Sequence, residues 1–93
     1  MSRRRVVVTG LGLVSPVGNN VADGWNAILA GTSGIGPITR FDASALKVRI
    51  AGEVKGFNVA DYLSPKEARR MDVFIHYGMA AGIQAFRESG LAV

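Results

Sequence analysis

An α/β fold is predicted by three features of the 93-residue sequence. Arg5 to Thr9 reads RVVVT, a short continuous run suited to a strand buried on both faces. Val48, Ile50, Gly52 and Val54 alternate with Arg49, Ala51, Glu53 and Lys55, the period-two pattern of a half-buried strand. From Ser64 towards Ser89 apolar residues recur at helical spacing, and Gly90 stops the pattern.

The elements follow in order. Gly10 and Gly12 end the first strand in a turn where the backbone is free to bend or to approach a neighbour closely. Asn19 or Asn20 then caps a helix over residues 21–30, in which Val21, Trp25, Ile28 and Leu29 form one apolar stripe. Asp23 sits at its positive end and Gly31 stops it. Thr32 to Pro37 reads as a small-residue loop, and Asn58 to Leu63 as a connection. Ser64-Pro65-Lys66-Glu67 has an N-cap serine, a proline at the first helical position and a glutamate at N3, a capping box. A break near Asp72 divides the pattern, and a longer helix carries Phe74, Ile75, Met79, Ile83 and Phe86. Gly78, Ala81 and Gly82 would let a neighbour approach it closely, and so apolar a helix belongs inside something larger than 93 residues. Leu91-Ala92-Val93 reads as the start of a new apolar segment.

Composition sets bounds on function. Hydrophobic residues at 48% and charged residues at 19% describe a globular chain. With no cysteine there is no disulfide framework and no thiolate metal site. A net charge of +4 favours acidic partners. No apolar run reaches the length of a membrane span. Ser2-Arg3-Arg4-Arg5 imitates a twin-arginine export signal, but Gly10, Gly12 and Pro16 interrupt the apolar region behind it, so a cytoplasmic location is expected. A nucleic-acid role would need aromatics placed to stack on bases, whereas Trp25 and Phe86 lie on apolar stripes and Tyr77 is isolated.

Several catalytic and binding motifs are incomplete. A dinucleotide turn needs G-x-G-x-x-G, but Gly10 and Gly12 are followed by Ser15 and Pro16, and the helix starts too late to meet a pyrophosphate. Ser33 lacks the last glycine of a nucleophile elbow, because Ile35 stands there, and no Gly-Lys-Ser/Thr forms a phosphate loop. Asp72 and His76, four apart, could share a helix face as a carboxylate-histidine pair. With no second histidine and no cysteine to complete a site, a structural or surface role is the better reading of His76.

The segment Val6 to Asn19, VVVTGLGLVSPVGN, resembles the N-terminus of the β-ketoacyl-acyl-carrier-protein synthases, most of all their synthase II branch. Gly31-Thr-Ser-Gly-Ile35, Phe41-Asp42 and Lys66-Glu-Ala-Arg-Arg-Met-Asp72 agree in order and spacing, so the resemblance spans essentially the whole chain. It implies a thiolase-like layered αβαβα fold, incomplete in this chain, with residues 1–93 forming the N-terminal part of the first of two similar halves and no complete domain boundary inside them. It implies a parent that elongates fatty acids by decarboxylative Claisen condensation with malonyl-carrier protein, as a homodimer without metal or nucleotide cofactor. The family's cysteine nucleophile and its two histidines have no counterpart here, and His76 matches neither histidine, so no catalytic residue is assigned and the chain alone is expected to be inert.

Lys66, Arg69 and Arg70 stand at i, i+3 and i+4 and share one helix face. In the family, basic residues at these positions help to dock the acidic acyl carrier protein in its acyl and malonyl forms, and a positive patch would steer such a partner. The competing readings are an ordinary solvated face, a non-catalytic partner resembling a chain-length factor, and a small autonomous carrier-protein-binding module.

Overall fold

The computed structural model describes residues 3–91. In chain order these form helix α1 (Val21–Leu29), strands β1 (Ile35–Pro37) and β2 (Ile50–Gly52), a 3-10 turn (Val59–Asp61), and helices α2 (Pro65–Arg69) and α3 (Val73–Ser89). Helix and strand are thus mixed, as the sequence predicts. The expected onset of an apolar segment at Leu91 to Val93 falls, for Ala92 and Val93, outside the described residues.

The helix ends follow local chemistry. Asn20 adopts an extended conformation, and its side-chain oxygen accepts from the Asp23 amide at 2.8 Å, satisfying one free donor of the first turn of α1. The break before α3 falls at Asp72, which occupies the cap position without a side-chain capping bond. Gly90 ends α3 in the left-handed region, at φ 76°.

The expected strand at Arg5–Thr9 is not formed. Residues 3–9 are exposed, Val6, Val7 and Val8 at 93%, 69% and 77%, and they join no ladder. A strand exists only through its neighbours, and among the described residues the one sheet is the antiparallel pair of β1 and β2. That pair revises two further expectations. The second half of the supposed loop Thr32–Pro37 is a strand, with Ile35 opposite Gly52 and Pro37 opposite Ile50, and Ile38 N–H extends the pairing to the Arg49 carbonyl at 2.9 Å. The expected strand around residues 48–55 is shortened to three residues, and Val48 and Ile50 are exposed rather than half-buried because none of the described residues covers that end of the face. Gly52 does mark a close approach: a Cβ there would lie 2.9 Å from Pro16 Cγ.

Helix α1 also turns differently from its pattern. Its buried side is Gly24, which receives the Leu13 side chain, while Trp25, Ile28 and Leu29 remain exposed. In α3 only Ala80 is buried, and Phe74 and Phe86 are exposed within these residues, so the expected burial would have to come from a larger structure.

The N-terminal glycines are explained by α3. A Cβ on Gly10 would overlap the Ala85 carbonyl oxygen, and one on Gly12 the Ala81 carbonyl oxygen. Two residues of extended chain advance about 6.7 Å and four residues of helix about 6 Å, so glycines two apart meet helical residues four apart. Bonds repeat that match one step along: Leu11 N–H donates to Glu88 Oε2 at 3.4 Å and Leu13 N–H to Gln84 Oε1 at 3.0 Å. Gly78 and Gly82 face open space, so of the small residues expected to admit a neighbour only Ala81 does so.

The buried hydrophobic residues are Ala43, Leu63 and Ala80. The radius of gyration is 16.8 Å, where a compact chain of this length would have about 12 Å. Accessible surface is 7407 Å², against roughly 5,200 Å² for a compact monomer of this mass. The excess corresponds to the apolar faces of Val6–Val8, α1, β2 and α3, which find no cover among the described residues.

Candidate functional site

The corner built from the 3-10 turn, α2 and the first turns of α3 gathers the charged and aromatic groups. Two caps set the chain direction here. Asn58 Oδ1 accepts from the Ala60 amide at 3.1 Å, and Ser64 Oγ accepts from the Glu67 amide at 3.2 Å. Glu67 reaches back, its Oε1 accepting from Ser64 Oγ at 2.9 Å and from Ser64 N–H at 3.4 Å, which completes the capping box.

Five residues are too few for a helix to persist by its own backbone bonds. α2 is held from outside at its far end, where His76 Nε2 lies 2.8 Å from the Ala68 carbonyl oxygen. Of the predicted Asp72-His76 pair, only the helical bond from His76 N–H to the Asp72 carbonyl joins the two residues, at 3.3 Å. The ring is partly buried and bonds to the main chain of α2.

Lys66, Arg69 and Arg70 are all exposed on this corner. Lys66 and Arg69 lie within α2, and Arg70 is its C-cap residue, still in the right-handed helical region, so the i, i+3, i+4 grouping is retained. None of the three side chains makes a hydrogen bond to another described residue.

A cleft of about 410 Å³ opens on the far side of His76, lined by Arg40, Val54, Phe57, Val59, His76 and Tyr77 among others. Arg40 Nη2 donates to Tyr77 Oη at 2.7 Å and to the Val54 carbonyl at 3.2 Å, and the guanidinium lies 5.9 Å from the Tyr77 ring centre. Phe57 meets Tyr77 edge-on and stacks on Tyr62. Gln84 Nε2 donates to Tyr62 Oη at 2.9 Å and to the Asn19 carbonyl at 2.7 Å, which ties the aromatic cluster to the N-terminal segment.

Two carboxylates are held below their ordinary range. Glu53 accepts from the Thr39 hydroxyl, the largest cause, and from the Thr39 and Arg40 amides. Asp42 accepts from the Ser44 amide, which favours its charged form. Lys55 is the most connected cation: Nζ donates to the carbonyls of Glu53, Gly34 and Pro16 at 2.9, 3.0 and 3.3 Å. Sequence reasoning missed both the Lys55 clamp and the Arg40–Tyr77 pair. Apart from the Glu53 carbonyl, their partners Pro16, Gly34 and Tyr77 lie 21 to 39 positions away, and nothing local distinguishes them from other surface cations.

Gly10 and Gly12 serve helix packing, and no group of three or more potential metal-ligating side chains occurs among the described residues. The site is therefore an exposed basic face next to an arginine-aromatic cleft. Its geometry suits recognition of an acidic surface.

Comparison with known proteins supplies the rest. The family model described as "Beta-ketoacyl synthase, N-terminal domain" matches residues 3–93. The chain is 59% identical over 93 residues to "3-oxoacyl-[acyl-carrier-protein] synthase 2" of Vibrio cholerae serotype O1, and 57% identical to the protein of that name from Vibrio harveyi. Each alignment covers 100% of this chain and 22% of the relative, so the chain spans about a fifth of the length of those proteins. Among solved structures, "The ishigamide ketosynthase/chain length factor" superposes with a TM-score of 0.88 at 35% identity, covering 98% of this chain and 23% of that one.

Proposed function

Since the chain belongs to the β-ketoacyl synthase family through its N-terminal domain, we propose that it works as the first part of a 3-oxoacyl-[acyl-carrier-protein] synthase of the second type. The complete enzyme would join an acyl thioester to malonyl-acyl-carrier protein by decarboxylative Claisen condensation, elongating a fatty acid. The observation that carries this reading is the unbroken match over residues 3–93 to relatives bearing that name.

The division of labour follows from what these residues contain. Condensation needs a nucleophile that forms the acyl thioester and groups that stabilise the enolate after decarboxylation. The chain has no cysteine, and its single histidine is engaged with the Ala68 carbonyl, so the chemistry would reside in residues outside these 93. The part played here is framework and docking. Residues 1–93 would form the beginning of the first half of a layered αβαβα enzyme, with the uncovered apolar faces packed against the rest of it. A homodimer in the cytoplasm is proposed with that fold. No helix among the described residues is long and apolar enough to cross a membrane.

Lys66, Arg69 and Arg70 are assigned to docking the acidic carrier protein. Their exposure, with no side-chain hydrogen bond to any of the described residues, supports the role, because a side chain already held inside the molecule cannot steer a partner. Replacing all three by Glu in the complete synthase should lower kcat/KM for acyl-carrier-protein substrates by about tenfold or more while small acyl thioesters react within about twofold of the parent rate. Equal losses on both substrate types would make the face structural. A chain-length-factor-like partner is the second reading, raised by the similarity to the ishigamide ketosynthase/chain length factor but weakened by the higher identity to proteins named synthase. Condensation product formed by the complete protein alone would eliminate it.

A further inference from the structure

We propose that His76 is the positioning residue of the docking face: its ring fixes the C-terminal end of α2 on α3 and thereby presents Lys66, Arg69 and Arg70 in one orientation. This rests on the docking role just assigned and adds the group that makes the face rigid.

The backbone of α2 spans only five residues, so its orientation depends on what holds its two ends. The first end is closed locally, within Ser64–Glu67, by the capping box. That box orders the first turn but does not tie it to any other element. At the second end the Ala68 carbonyl accepts from Met71 N–H at 3.3 Å and faces His76 Nε2 at 2.8 Å. With its proton on Nε2, the imidazole donates the shorter of those two bonds. It does so from the first turn of a seventeen-residue helix, so a side chain of α3 adds a direct tie to α2 beside the backbone turn at Arg70–Asp72 and the contact of α2 with the 3-10 turn.

Ala68 lies between Lys66 and Arg69 in the chain, so its carbonyl is embedded in the segment that carries all three cations. Loss of the bond would leave the basic side chains present and charged but spread over several orientations. Such a face still attracts an acidic partner at long range, yet it must order itself on contact and pays the associated entropy. The affinity for the carrier protein should therefore fall while the chemistry on a small substrate does not.

The test uses the complete synthase with two variants. His76→Phe keeps a ring of similar size and removes the donor, whereas His76→Gln offers an amide N–H in its place. The Phe variant should raise KM for acyl-carrier-protein substrates about three- to tenfold with kcat nearly unchanged, and leave small-thioester kinetics within twofold. The Gln variant should restore KM to within about twofold of the parent. Hydrogen exchange over residues 65–71 should quicken by a similar factor in the Phe variant and return in the Gln variant. An unchanged KM and unchanged exchange in His76→Phe would overturn the proposal, as would a parallel loss on both substrate types. If exchange quickens while neither this variant nor the triple Glu variant alters carrier-protein kinetics, the bond orders α2 and the docking role itself is refuted.

Discussion

Val6–Val8 and Ser64–Arg70 are opposite kinds of segment. The first is the most apolar stretch of the chain, yet it is exposed and joins no sheet. The second is polar and short, and its N-terminus is closed by a complete capping box. The difference lies in where each finds its partners. A capping box is closed by residues three apart, so its geometry is present as soon as the helix turn is. A buried strand needs neighbours on two sides and two faces, and its apolar side chains contribute nothing until those arrive. High hydrophobicity here signals dependence on other parts of a fold, and local polarity signals independence.

The seat of the N-terminal segment on α3 gives the sharpest way to break that contrast. Gly12→Val should destabilise the complete synthase by about 3 kcal/mol or more, because its Cβ would collide with helix backbone that cannot rotate away. Chemical denaturation measures it, and a loss below 1 kcal/mol would mean the two segments are not in contact. Ser64→Ala sharpens the other side of the comparison. It should cost about 1 kcal/mol, with faster exchange confined to the first turn of α2 and no effect at residues 10–14. Next comes Lys55→Met. Removing the ammonium gives up three exposed bonds to carbonyls and should cost about 0.5–1 kcal/mol by chemical denaturation, most of it at the joint between the turn near Pro16 and β1.

The smallest effect concerns pH. The folded pKa of Glu53 is lowered, so its contribution is fully present above the unfolded carboxylate value and is lost as pH falls through the folded one. The Thr39 and Arg40 amide resonances should report that titration below the ordinary range of glutamate, and Glu53→Gln should abolish it. A midpoint at or above the ordinary value would contradict the bonds described.

Legibility in the sequence followed the same division. Asn20, the capping box, the break at Asp72 and the stop at Gly90 were readable because each depends on residues within one or two turns. The basic face was readable for the same reason, since three exposed cations at helical spacing need only the helix. Strand β1 was hidden because Ile-Gly-Pro has no strand pattern of its own and pairs only with a segment fifteen positions onward. The stripe on α1 was read correctly as apolar but not as uncovered, because periodicity says which face is greasy and not what lies against it. The partner of His76, a main-chain oxygen, leaves no mark in any side-chain pattern.

The three carbonyl oxygens around Lys55 Nζ form the kind of partial cage in which proteins hold alkali ions. Here the cation is covalently carried by the chain. A dissolved ion would leave such a cage whenever its concentration fell. A tethered one remains at fixed stoichiometry, so the joint between the turn, β1 and the strand end needs no ion from the medium to form.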